Sequence, residues 1–143
     1  MKIYLAYWFR GLLLILAAGL FVACGGSKPA HDPATTRTSD AGLYRVSWKP
    51  AGEAVTINQL DSWTLTVRSA VGEPVLGAQI GVSGGMPEHN HGLPTQPEVT
   101  AELGEGRYLV EGLRFHMSGW WTMTFAIRSA AGEDSVTFNL DLE

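Results

Sequence analysis

The 143-residue chain carries 10 basic and 14 acidic side chains, a net charge of −4, and a single cysteine. The acidic balance argues against nucleic acid or an anionic lipid surface as the main partner. One cysteine excludes an internal disulfide and any cluster of thiolate ligands.

At the N-terminus, Lys2 and Arg10 form a positive region, and Gly11 to Val22 is a short uncharged apolar run. Small residues then lead into Cys24, which is the layout of a secretory signal. The run is shorter than the roughly 20 apolar residues that a membrane span needs. Leu20-Phe21-Val22-Ala23-Cys24 resembles the lipobox of bacterial lipoproteins, and that resemblance implies lipid on the Cys24 thiol after removal of residues 1–23. The expected location is the cell envelope, outside the cytoplasm. Gly25 after the cysteine, rather than aspartate, favours an outer membrane facing the periplasm. The domain must then hold itself together by its core alone.

Residues 24–41 follow as a lipidated tether. GGSKPAHDPATTRTSDA has no hydrophobic periodicity, its Gly and Ser make it flexible, and Pro29 and Pro33 stiffen it in part. His31 is expected to be solvated there. Residues 42–143 are long enough for one domain with a real core and too short for two.

That segment alternates with period two, as half-buried strands do. Trp63, Leu65 and Val67 share one face, opposite Thr64, Thr66 and Arg68. Trp121, Met123, Phe125 and Ile127 form a second such row, and Val136, Phe138, Leu140 and Leu142 a third. Shorter candidates are Leu43–Trp48, Val75–Val82, Val99–Leu103 and Arg107–Leu113. Gly- and Pro-containing turns separate them. WTLTVRSAVGE from Trp63 and WTMTFAIRSAAGE from Trp121 look alike and read as two strands of similar role. About seven short strands in this length predict an all-β, immunoglobulin-like β-sandwich.

Between Val82 and Val99 the alternation stops, and SGGMPEHNHGLPTQPE reads as a long irregular loop. It concentrates Met86, His89 and His91. In an extended segment His89 and His91 project to one side with roughly 7 Å between β-carbons. His116 and Met117, at the expected start of the next long strand, complete a candidate metal set. Imidazole with thioether and no thiolate suits copper, since soft sulfur favours Cu(I). Zinc would call on three or four harder ligands, with Glu88 or Glu98 as an oxygen donor. The alternative is structural: Met86 packs under the loop, His116 is a hydrogen-bonded strand residue, and Met117 lies in the core.

MPEHNHGLPTQPEV followed by EGRYLVEGLRFHMSGWWTMTFAI resembles the core of YtkA-like domains, related to FixH-like proteins. The shared positions are Met86-Pro87, His89, His91, Gly92, Pro97, Gly106, Tyr108, Phe115, Met117, Gly119 and Trp121. The resemblance implies a small extracytoplasmic β-sandwich, with FixH-like relatives linked to maturation of haem–copper oxidases. For a copper-delivery module the expected partners are the membrane that holds the lipid and a copper-receiving envelope protein.

Two function classes follow. One is a lipid-anchored copper-binding module, and the other is a metal-free interaction module that uses the same loop with Trp120-Trp121. An enzyme is not expected, because no metalloprotease helix motif, nucleophile elbow or phosphate loop is present.

Overall fold

The computed structural model describes residues 31–143. The expected signal sequence, Cys24 and the first part of the expected tether lie outside them. The described chain is all-β: β1 (Thr36–Thr38), β2 (Tyr44–Pro50), β3 (Leu60–Ser69), β4 (Gln79–Met86), β5 (His91–Gly92), β6 (Glu98–Gly104), β7 (Arg107–Arg114), β8 (Gly119–Ser129) and β9 (Gly132–Leu142). Two antiparallel sheets, ordered β1-β2-β3-β7-β6 and β5-β4-β8-β9, pack face to face. The sandwich expected from alternation is the fold.

The apolar rows meet between the sheets. Trp63, Leu65 and Val67 from β3 are fully buried against Trp121, Met123, Phe125 and Ile127 from β8 and Val136, Phe138 and Leu140 from β9. The two look-alike segments are the central β3 of one sheet and the interior β8 of the other. Their similarity therefore reflects equivalent burial on both faces of one core. Trp48 stacks on Trp63 at 4.0 Å between centroids, and Trp63 in turn lies 5.9 Å from Phe115.

Two departures from the sequence reading have clear causes. First, strand β4 runs on through Ser83, Gly84 and Gly85 to Met86 where a loop was expected. Alternation vanishes there because two ladder positions carry no side chain. A Cβ on Gly84 would collide with the Met123 sulfur and the Thr122 carbonyl, and one on Gly85 with the His91 carbonyl.

Second, the folded unit begins before Gly42. Strand β1 lies inside the stretch expected to be tether and pairs with β2. Residues 31–41 also run antiparallel along the open edge of β9. The Asp40 amide donates to Ser135 O at 2.8 Å. Arg37 donates to Thr137 O at 2.6 Å, and the Asn139 side chain donates to Asp32 O at 3.3 Å. This arm covers an edge strand that would otherwise present unpaired backbone groups.

Asp134 locks the arm to the sheet. Its carboxylate accepts from the Ser39 hydroxyl at 2.6 Å, from the Ala41 amide at 3.0 Å, from the Leu43 amide at 3.1 Å and from the Ser135 amide at 2.8 Å. Desolvation pushes this carboxyl up, but the hydrogen bonds outweigh it and hold it down at about 2, below its ordinary 3.8. A depressed carboxyl contributes stability that is present above pH 3.8 and is lost as pH falls towards 2. Asp134→Asn is expected to lower the melting temperature at neutral pH, because one carboxylate acceptor becomes an amide donor facing N–H groups. The variant's melting temperature should also vary less with pH between about 4 and 2. Thermal melts across that range check both outcomes.

Candidate metal centre

The five residues singled out from sequence fall at one end of the sandwich, where β4 ends, β5 lies, and the link from β7 to β8 passes over. Strand β4 delivers Met86 as its last residue, with His91 of β5 as its Cα partner. Pro87–Asn90 form the turn between them, closed by the His89 amide donating to Met86 O at 3.1 Å. Asn90 sits at φ 52°, a left-handed position that Asn tolerates in turns. His89 is therefore on a hairpin turn rather than in an extended segment. His116 also differs from expectation: it lies in the link before β8, which starts at Gly119.

The three imidazoles form a row with His91 in the middle. His91 and His116 have ring centroids 4.9 Å apart at an interplanar angle of 41°. His89 and His91 stack at 5.9 Å and 22°. The Trp121 indole backs the row, meeting His91 edge-on at 5.7 Å and His116 at 5.4 Å. His91 Nε2 and His116 Nδ1 are both buried without a hydrogen-bond partner. Buried polar atoms are normally paired, so two orphaned imidazole nitrogens on adjacent rings are the notable chemistry of this end. His116 is thus not the hydrogen-bonded strand histidine of the structural alternative. The other nitrogen of His91, Nδ1, lies 3.2 Å from Gly92 O, which favours its N–H form and leaves Nε2 as the lone-pair nitrogen.

The two thioethers differ. Met86 is 1% exposed and sits beneath the hairpin. Met117 is 39% exposed, so it is not the core residue its parity suggested. The Met117 carbonyl accepts the Trp121 Nε1–H at 3.0 Å, which pins the link over the indole. Among the described residues no three His, Cys, Asp or Glu side chains are placed to hold one metal ion. The set that comes together is therefore His91 and His116 with Met86 alongside. His89 lies at the rim, and neither Glu88 nor Glu98 completes a trio.

Local backbone explains several of the quoted motif positions. Gly119 lies at φ 118°, and a Cβ there would stand 3.0 Å from Met86 Cε. Phe115, two residues before Met117, is fully buried. Gly106, at φ 72°, packs against the Val67 carbonyl with no room for a side chain. The Tyr108 hydroxyl donates to Val75 O at 2.7 Å and accepts from the Ala78 amide at 3.0 Å. Burial raises its pKa above 10.0.

The sequence reading missed His31. Its ring stacks on Trp120 at 3.8 Å and 6°, and its Nδ1 lies 3.2 Å from Asp141 Oδ1. The indole and carboxylate stand in the pattern as outward residues of β8 and β9, but pairing them with residue 31 requires the arm's path.

A search of curated proteins gives no match. Among solved structures, a ZirS C-terminal domain is similar with 14% identity and a TM-score of 0.40, over 96% of this chain and 93% of that one. The YtkA-like family pattern matches residues 52–126, a span that includes the hairpin, the link, all three histidines of the row and both methionines. The chain belongs to the YtkA-like family.

Proposed function

We propose that this protein is a lipid-anchored, extracytoplasmic copper-binding module, acting by holding and passing on the ion rather than by catalysis. The single observation that carries the reading is the pair of orphaned nitrogens, His91 Nε2 and His116 Nδ1, buried on rings 4.9 Å apart. Metal–imidazole bonds of about 2.0–2.1 Å need the two nitrogens within about 4 Å of each other, which rings at this separation are able to present. Met86 adds a soft sulfur beside them.

The donor set favours Cu(I). Structural zinc takes four protein ligands and catalytic zinc three, whereas two imidazoles and a thioether suit a soft monovalent ion. When bound, copper would supply a transferable ion held by neutral donors. The protein's own part is to keep the two nitrogens dry and oriented against Trp121. The FixH-like resemblance extends the reading to copper handling for oxidase maturation, with an envelope protein receiving the ion.

The metal-free alternative uses the exposed loop as a contact surface, with Trp120 and Trp121 beside it. Trp121 is fully buried and Trp120 is covered by His31, so the pair offers no open aromatic face. Titration of the protein with Cu(I) under reductant, against a chromophoric chelator, tests the reading. One equivalent bound in preference to zinc supports it, and no competition with the chelator overturns it.

The anchor has its own test. Cys24→Ser is expected to abolish incorporation of a fatty-acid probe. Equal labelling of the variant and the parent would remove the lipoprotein reading.

A further inference from the structure

The arm that covers β9 fixes where the chain leaves the fold, and that exit lies at the end that carries the histidine row. Strand β8 begins at this end, and β9 finishes there, with Gly119 opposite Leu142. His31, stacked on Trp120 and paired with Asp141, sits beside both. Arg37 braces the arm by bonding Asp32 at 2.8 Å while also holding Thr137 O.

We propose that the docked arm turns the His/Met end of the sandwich towards the bilayer and holds it close. The proposal rests on lipid at Cys24. A free tether of residues 24–41 would reach about 60 Å when extended, at 3.3–3.6 Å per residue. That length imposes neither height nor orientation. With His31 docked, only the seven residues Cys24 to Ala30 separate lipid from fold, a reach of at most about 25 Å. The exit point then becomes the part of the domain nearest the membrane. The hairpin with His89 and His91 and the link with His116 lie at that same end. The opposite end, with the β8–β9 turn at Ala130-Ala131, points away from the membrane.

Energy transfer to a headgroup-labelled lipid tests this on the full-length protein reconstituted in zwitterionic vesicles. Cys24 is the only cysteine, so once it is acylated, Ser118→Cys or Ala131→Cys provides a single labelling site. The two positions are separated by the length of β8, roughly 35 Å at 3.3 Å per residue. The expected result is stronger transfer from position 118 than from position 131. Adding Trp120→Ala or His31→Ala to each releases the start of the arm, while β1 and the Asp134 contacts hold the rest, so the difference between the two positions should shrink while the domain stays folded. Equal transfer from both positions in acylated, otherwise unaltered protein overturns the orientation. A difference that persists unchanged after arm release also overturns it. Mass spectrometry of the same sample separates the two claims, because absence of lipid on Cys24 overturns the anchor itself and the orientation with it.

Discussion

Phe125→Ala is expected to destabilise the domain by about 3–5 kcal/mol, the range for truncating a buried aromatic. Phe125 is fully buried, faces Val82 across to β4 and Val136 across to β9, and meets Phe138 edge-on at 6.0 Å. The lost ring removes both its own transfer free energy and its neighbours' contacts, since a packed core collapses only partly into the void. Domains of this kind have about 5–15 kcal/mol in total, and no disulfide constrains the unfolded chain. Thr124→Ala on the outer face of the same strand is the matched control. It removes one hydroxyl contact with Thr137 at 2.8 Å, an effect of about 1 kcal/mol. Equilibrium urea unfolding reads both as midpoint shifts at unchanged slope. A Phe125→Ala midpoint equal to the parent's would mean that β8 faces the other way.

The rows of Trp63, Trp121 and Val136 were legible because a strand buried on one face must alternate, and each row is long enough to fix its own facing. Sheet order was not legible, since pairing β3 with β7 and β4 with β8 depends on contacts between distant segments. Gly84 and Gly85 erased the pattern at the point where β4 matters most for the site. The arm was misread for a related reason. Its bonds to β9 run through backbone atoms and through Arg37, Asp32 and His31, none of which adds a hydrophobic period. The candidate site residues were singled out by chemistry, as a concentration of imidazole and thioether groups in two short segments. Their ranking could not be read that way. Only the fold shows that His91 and His116 adjoin over Trp121 while His89 and Met117 stand at the rim.

That ranking makes unequal losses of copper affinity the sharpest expectation for the site. His91→Ala and His116→Ala should each remove most Cu(I) binding, because each deletes one of the two orphaned nitrogens. Met86→Leu preserves volume and should weaken binding by less while leaving the fold intact. His89→Ala, on the exposed turn, should weaken it least of the four. Affinity should fall as the pH is lowered, because protons compete with the metal for the imidazole nitrogens. The parent should therefore show a steeper pH dependence of affinity than either single-histidine variant of the pair. Chelator competition at several pH values measures all of this, with circular dichroism to confirm that each variant remains folded. If His89→Ala lost as much affinity as His91→Ala, the ion would sit on the turn rather than between the paired rings. If neither His91→Ala nor His116→Ala changed affinity, their orphaned nitrogens would have no part in binding the metal.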